Sequence, residues 1–416
     1  MDPLRESIVT LARTAKTAAH SLGAWSSSLK NAALLEMAEE LLSSEEKILI
    51  ANAQDIVAAE KQGSLDRLRL TPERVAALAE GVRSVAQLED PVGKVIEEWT
   101  RPNGLKISKI RTPIGVIGIV YESRPNVTSD AAALCLKAGN AVLLRGGSES
   151  FRSNLAIAQA LQTAAVRHGL PEGSIGMIPF TDRVGVEILS QLDEYVDLII
   201  PRGGAGLIET VVRHARMPVI KHYHGVCQAY VDKETDFEMA QAIVLNAKCQ
   251  RPGVCNALET LLVHQEIAPE FLRRVGKSLG EKGVEIRGDE ATQGILNGQA
   301  LAATEEDWSA EYLDLVLAVR IVDNLETALS HINRYGSHHS DTIITTNAKT
   351  AERFLQEVDS AVVYWNASTR FTDGNEFGFG AEIGISTDKL HARGPMGLEE
   401  LTSYKYLIRG NGQIRE

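Results

Sequence analysis

Apolar residues recur at helical spacing in NAALLEMAEELL and again in TPERVAALAEGVRSVAQL, so residues 1 to about 95 read as almost wholly helical. Thr71 before Pro72 is good start chemistry for the second of these helices. Ser43 with Glu46 fits a capping box at another helix start. The texture changes near residue 95. In VIEEWTRPNGLKISKIRTPIG, Pro-Asn-Gly separates two alternating runs, which predicts a β-hairpin. Two readings of it stand side by side: an oligomerisation arm, or a plain surface hairpin.

From residue 113 the pattern becomes short apolar runs alternating with amphipathic ones. GVIGIVY, NAVLLR, SIGMIPF and VDLIIP read as strands, with DAAALCLKAG, NLAIAQALQTAAVRHG and VGVEILSQL as the helices between them. A second block begins near residue 230. FEMAQAIVLNAK, PEFLRRVGKSLG, LETALSHINRYG and AERFLQEV are its helices, and ALETLLVH, DLVLAVRIV, DTIITT and SAVVYWN its strands. This β-α-β rhythm predicts parallel sheets covered by helices on both faces. The tail from about residue 366 is rich in Gly, Phe and Thr and reads as loop, ending in a closing strand, LTSYKYLIRG.

Composition narrows the function classes. A chain of 416 residues makes two or three domains at about 150 residues each. The net charge of -12, with no basic tail, argues against nucleic-acid binding. Cys135, Cys227, Cys249 and Cys255 form no Cys-x-x-Cys pair, which argues for a reducing compartment and against a disulfide frame. The N-terminal stretch lacks an apolar core of the signal-peptide kind, and no apolar run approaches the ~20 residues that span a bilayer. A cytoplasmic enzyme with no membrane partner is the default. A metal site is not expected, because His338-His339 lacks i, i+4 spacing and partner carboxylates.

Three segments carry candidate chemistry. In AKCQRPGVCNALETLLVH, Cys255 lies on a Gly/Pro loop between a helix and a strand, where a nucleophile is presented. Lys248 and Arg251 supply positive charge nearby, which favours the attacking thiolate. A small buried thiol is the other reading of Cys255, and the one given to the remaining three cysteines. In the second segment a strand runs into Arg124-Pro125-Asn126 and then a helix. The Asn126 amide suits a developing oxyanion, or caps the helix. Downstream, Arg145 ends a strand before Gly146, Gly147, Ser148 and Glu149, a setting that suits a nucleotide ribose or phosphate. The third segment, VDLIIPRGGAGLIETVV, brings Gly203, Gly204 and Gly206 to a helix start where phosphate can approach, without the full G-x-G-x-x-G pattern.

Together these segments resemble the aldehyde dehydrogenase superfamily, and most closely its biosynthetic branch that reduces an acyl phosphate. The likeness covers essentially the whole chain. VYESRPNVTSDAAALCLKAGNAVLLRGGSE, KCQRPGVCNALETLLVH and FGFGAEIGISTDKLHARGPMGLEELTSYKY are its most specific strings. The resemblance implies an α/β fold of two Rossmann-like parallel-sheet domains plus a β-hairpin oligomerisation arm. It implies a cofactor-binding domain at 1–95 and 113–229 with part of 366–395, a catalytic domain at 230–365, and oligomerisation elements at 96–112 and 396–416. Cys255 falls on the superfamily's nucleophile and Asn126 on its oxyanion-hole asparagine. Arg145 stands where the superfamily uses a Lys against the cofactor ribose. The 203–206 turn stands at the pyrophosphate, and Glu311 at the glutamate that holds the nicotinamide ribose.

One departure bears on the reaction. Oxidising members carry a Glu-Leu-Gly-Gly-Lys stretch whose Glu activates water, whereas Lys221-His222-Tyr223-His224-Gly225 offers no carboxylate here. Release of a free acid needs that base; exchange of the acyl group with phosphate does not. The resemblance therefore implies NADPH-dependent reduction of L-glutamyl 5-phosphate to L-glutamate 5-semialdehyde, in proline biosynthesis. It also implies a homodimer or homotetramer and association with glutamate 5-kinase. Arg145 and Ser148 suit a 2′-phosphate while Glu149 opposes it, so the residues leave NADP over NAD open. The substrate is anionic at both ends, and Arg124, Arg251, Arg370, Lys389 and Arg393, with His222 and His224, are candidates to hold it. The rival readings are a CoA-acylating aldehyde dehydrogenase and a non-catalytic scaffold of the same fold.

Overall fold

The computed structural model describes residues 3–59, 67–122 and 124–415. The chain divides into two compact units: Met1–Lys221 with Gly378–Gly384 and Met396–Glu416, and His222–Phe377 with Ile385–Pro395.

The first unit opens with helices α1 (Pro3–Leu22), α2 (Ser27–Ser43), α3 (Glu45–Ala59) and α4 (Pro72–Gln87). Thr71 caps α4, its hydroxyl accepting the Arg74 N–H at 3.3 Å. Ser43 does not begin a helix. It is the last residue of α2 and donates to the Glu40 carbonyl at 3.1 Å. Because α3 starts at Glu45, directly after Ser44, no extended residue is left at which a capping box can form.

Strands β1 (Val95–Thr100) and β2 (Lys106–Pro113) make the antiparallel hairpin around Pro-Asn-Gly. The closing strand, Thr402–Arg409 (β16 in chain order), pairs antiparallel with β2, giving a three-stranded sheet. Then come β3 (Val116–Tyr121), α5 (Asn126–Lys137), β4 (Ala141–Gly146), α6 (Phe151–Arg167), β5 (Ile175–Met177), α7 (Val184–Ser190), β6 (Leu198–Arg202) and α8 (Ala205–His214). The four strands are parallel in the order β5-β4-β3-β6. β3 and β4 are buried throughout, which is why they read as unbroken apolar runs. The strand order reverses between β3 and β6, so their carboxyl ends form the crevice where open α/β sheets take ligands.

The second unit holds β7 (Cys227–Val231), α9 (Phe237–Cys249), β8 (Leu258–His264), α10 (Ala268–Glu281), β9 (Glu285–Gly288), α11 (Glu290–Leu296), β10 (Ala300–Ala302), β11 (Val316–Val322), α12 (Leu325–Tyr335), β12 (Ser340–Ile344), α13 (Ala348–Glu357) and β13 (Val362–Trp365). They form a parallel sheet in the order β10-β9-β11-β8-β7-β12-β13. Alternation along the strands feeds two cores. Ala229, Val231, Leu261 and Val263 pack with Phe271, Leu272, Val275 and Leu279 of α10. Tyr230 and Leu262 face the other way, onto Leu325, Leu329, Ile332 and Phe354. The strand β7 and the β9-α11-β10 segment were not foreseen. CQAYV lacks the β-branched run that marks a buried strand, yet every residue of it is buried.

A buried ion pair ties the helical segment of the first unit together. Lys30 on α2 meets Asp90 at 2.5 Å and donates to the Lys137 carbonyl at 3.0 Å. Both side chains are under a tenth exposed. Lys30→Met removes the ion-pair partner of buried Asp90 and is expected to cost about 3–5 kcal/mol in urea unfolding, with the paired change Lys30→Met/Asp90→Leu recovering most of it.

Candidate active site

Cys255 sits on the loop that runs from the end of α9 to the start of β8, and is half-buried. Its backbone is crowded by the approach to β7. A Cβ added at Gly225 would lie 2.0 Å from the Cys255 carbonyl oxygen and 2.5 Å from its Cα. Only glycine lets the two segments meet this closely. Two residues on, the buried Cys227 thiol donates to the same carbonyl at 3.3 Å, and burial raises that thiol well above its ordinary pKa. Cys227 thus supports the loop as a neutral donor.

Downstream residues hold the other side of the loop. Asn256 donates to the Thr372 carbonyl at 2.8 Å, and its own carbonyl accepts the Thr369 hydroxyl at 2.8 Å. The Arg370 guanidinium donates to the Asn256 side-chain oxygen and, through Nε, to Gln250 at 2.7 Å. Burial lowers the Arg370 pKa, with the Arg251 charge adding to the effect, and Cys255 and Cys227 are within its electrostatic range. Arg370 and exposed Arg251 are therefore the cations brought to the nucleophile loop. Lys248 is not: it is fully buried and paired with Glu259 at 2.6 Å.

The 221–225 stretch has no carboxylate in sequence but receives one in space. Glu311 accepts the Gly225 N–H at 2.9 Å, and its second oxygen lies 3.4 Å from His224 Nδ1. His222 Nδ1 pairs with the Ile385 carbonyl at 2.9 Å, its ring edge-to-face with His339 at 5.7 Å. Lys389 and Arg393 are both drawn to Asp359, at 2.6 and 2.9 Å, an arrangement that removes them as unclaimed cations for an anionic substrate.

The remaining candidates lie in the first unit. Asn126 is the first residue of α5 and does not cap it; its amide donates forward to Asp130 at 2.9 Å. An amide carries two N–H donors, so this bond orients the group and leaves one donor. Arg124 is exposed just before α5. Arg145 is 6% exposed and donates to the carbonyls of Thr181 and Asp182 at 2.8 and 3.2 Å. Its Nε is buried with no partner among the described residues. Gly146 is required by packing: a Cβ there would lie 2.1 Å from Asn154 Nδ2. Ser148 is exposed and opens a short 3-10 turn, Ser148–Ser150.

At the crevice between β3 and β6, Glu122 and the glycine turn meet. The Gly204 N–H, at the start of α8, donates to Glu122 Oε2 at 2.8 Å. A Cβ at Gly203 would lie 2.4 Å from the same oxygen, whereas Gly206 has open space. The crevice at a reversal of strand order, the glycine turn and the orphaned Arg145 Nε fit a dinucleotide.

Comparison with known proteins shows the family to which the chain belongs. The aldehyde dehydrogenase family profile matches residues 5–296. Gamma-glutamyl phosphate reductase from Moorella thermoacetica is 58% identical over 413 residues, covering 98% of this chain and 99% of that one. The protein of the same name from Carboxydothermus hydrogenoformans is 56% identical, covering 99% and 100%. The crystal structure of gamma-glutamyl phosphate reductase from Thermotoga maritima superposes with a TM-score of 0.96 at 46% identity, covering 98% and 100%. The chain belongs to the aldehyde dehydrogenase family, in its gamma-glutamyl phosphate reductase branch. Membership brings a nicotinamide cofactor and a small-molecule substrate. The two-sheet α/β architecture with its hairpin is that of the family.

Several residues that brace the candidate site carry little sequence signal. Gly225, Cys227, Asn256 and Gln250 all support the Cys255 loop, yet none is marked by a local motif. The Gly-Val-Cys spacing after the histidines was the one usable signal for Gly225. No group of three or more His, Cys, Asp or Glu side chains among the described residues is arranged to hold a metal ion. Gly225→Ala is expected to displace Cys255 and lower nicotinamide-linked turnover by about 100-fold, with a stability loss of about 1–3 kcal/mol seen in thermal unfolding.

Proposed function

We propose that this chain reduces L-glutamyl 5-phosphate to L-glutamate 5-semialdehyde with release of phosphate, using NADPH and a thioester on Cys255. The observation that carries this reading is the Cys255 loop itself. It is half-buried, braced by backbone contacts on both sides, flanked by Arg370 and Arg251, and carried by a chain so similar to proteins of that name.

Cys255 Sγ, as the thiolate, attacks the acyl carbon. The Cys255 N–H and the free donor of Asn126 stabilise the oxyanion, with Asp130 holding the Asn126 amide in orientation. The oxyanion collapses, the C–O bond to phosphate breaks, and phosphate leaves with its negative charge near Arg370 and Arg251. Arg145, Ser148, Gly146, the Gly203–Gly204 turn and Glu311 would hold NADPH, which when bound would supply hydride to the thioester carbon. The thiohemiacetal on Cys255 then breaks its C–S bond, releasing the aldehyde and regenerating the thiolate. Arg124 and His222 complete the proposed substrate contacts. The 221–225 stretch carries no carboxylate where oxidising members place their water-activating Glu. The thioester therefore waits for hydride.

The same reading places the enzyme in the cytoplasm as a homodimer or homotetramer, with glutamate 5-kinase as a partner. No helix among the described residues is long and apolar enough to cross a membrane. Exposed Tyr404, Tyr406 and Ile408 on β16 support assembly through the three-stranded sheet.

The purified protein, given glutamate semialdehyde, phosphate and NADP, is expected to form NADPH, followed by absorbance. Formation that depends on CoA and ignores phosphate would assign a CoA-acylating enzyme. Cys255→Ala should lose at least ~1000-fold in turnover with an unchanged circular dichroism spectrum. Near-wild-type turnover in that variant would pass the role to another group.

A further inference from the structure

We infer that the buried Lys248–Glu259 ion pair is a positioning device that fixes the nucleophile loop and the Glu311 segment in one register. The inference rests on the roles proposed above for Cys255 and Glu311.

Lys248 is in the last turn of α9, seven residues before Cys255, and Glu259 is on β8, four residues after it. Their side chains are 0% exposed and meet at 2.6 Å. The pair therefore clasps the two ends of the loop. Glu259 also reaches a third segment: its other oxygen accepts the Leu313 N–H at 3.3 Å. Leu313 has φ 54°, a left-handed conformation that a branched residue holds only where its surroundings demand it. Two residues earlier, Glu311 accepts the Gly225 N–H, and Gly225 lies against the Cys255 backbone. The contacts form a closed circuit from the Cys255 loop through Glu259, Leu313, Glu311 and Gly225 back to Cys255.

The backbone is shaped for this contact. β7 and β8 pair in parallel, Cys227 opposite Leu258 and Gln228 opposite Thr260. Glu259 is thus the extra residue of a bulge, a device that re-aims a side chain and recurs beside active sites. Burial pushes the Glu259 carboxyl up to about 7 and the Lys248 ammonium down, so neither charge is comfortable here. A buried pair of this kind is seldom more stabilising than apolar side chains of the same size. What it adds is direction: a charged donor and acceptor hold one geometry where a greasy pair slides.

The test replaces the pair in the full-length enzyme by Lys248→Met/Glu259→Leu and, separately, by Glu259→Gln. The measurements are thermal unfolding, kcat, KM, NADPH binding by fluorescence titration, and hydrogen exchange across 250–257 and Leu313. Positioning predicts a melting temperature close to wild type and a kcat lower by about 30-fold or more. NADPH affinity should fall by about 10-fold, with faster exchange in both segments. A folded variant with kcat and NADPH affinity within about twofold of wild type and unchanged exchange would make the pair merely structural and overturn the inference. If the paired variant does not fold, Glu259→Gln, which keeps the volume and an acceptor for Leu313, decides by the same readouts. Should wild type itself show no phosphate-dependent turnover, the functional reading fails, while hydrogen exchange still judges the clasp.

Discussion

A one-residue slip between two parallel strands governs the geometry around Cys255. Parallel pairing keeps side chains alternating between the two faces of a sheet, and a single extra residue breaks that alternation locally. In this chain the slip falls between Cys227 and Gln228 of β7, opposite Glu259 of β8. Beyond it the alternation resumes, so Leu261 and Val263 still face one core and Leu262 the other. Before it, the incoming segments crowd together until Gly225 touches the Cys255 backbone. The core tolerates the slip because it occurs at the amino edge of the sheet, ahead of the packed layers. The price is a carboxylate turned into the interior, which Lys248 neutralises.

That edge is an unusual place for a reactive group. Open α/β sheets take ligands beyond the carboxyl ends of their strands, where helix N-termini converge. The first unit obeys this rule at the β3 and β6 ends. Cys255 instead precedes β8, at the amino end, on a loop that opens a strand rather than a helix. The positive field there has to be imported by side chains, and Arg370 and Arg251 are the ones the fold delivers. Arg370 is in turn fixed by Gln250 and Asn256, the latter adjacent to the nucleophile. In the proposed reaction, thiolate activation and leaving-group stabilisation would therefore draw on the same two guanidinium groups.

Much of this was legible in the chain, for identifiable reasons. The alternation of apolar runs and amphipathic segments located β3, β4, β6, β8, β11, β12 and the helices between them, because fully buried parallel strands leave uninterrupted Val, Ile and Leu. Pro-Asn-Gly marked the hairpin through its turn chemistry. Loop context singles out Cys255, and the family resemblance implies that it is the nucleophile. What escaped were facts of distance. Lys248 and Glu259 are eleven residues apart and look like ordinary surface charges in sequence, where Lys248 suits activation of the thiol; in the fold it is spent on Glu259. Lys389 and Arg393 looked available until Asp359 was seen between them. Glu311 is 86 residues from Gly225, and no periodicity reports that bond. Ser43 failed for a local reason, since α3 follows α2 too closely to leave a capping residue.

The crevice proposed for the cofactor carries a constraint of its own. The N–H groups opening α8 are a ready site for an anionic oxygen, and Glu122 supplies one to Gly204 from within the chain. A cofactor diphosphate offers the same helix terminus the same chemistry, so its arrival exchanges one anion for another and gains less than it would at a bare terminus. Binding energy must then come from elsewhere on the dinucleotide. Arg145 cannot swing out to supply it at no cost, because its guanidinium is buried and already donates to the carbonyls of 181 and 182. Its Nε, without a partner among the described residues, costs about 1–3 kcal/mol while unsatisfied, and an acceptor placed there recovers that deficit. Selectivity in this crevice therefore turns less on adding positive charge than on which oxygen reaches the buried Nε after Glu122 has yielded Gly204.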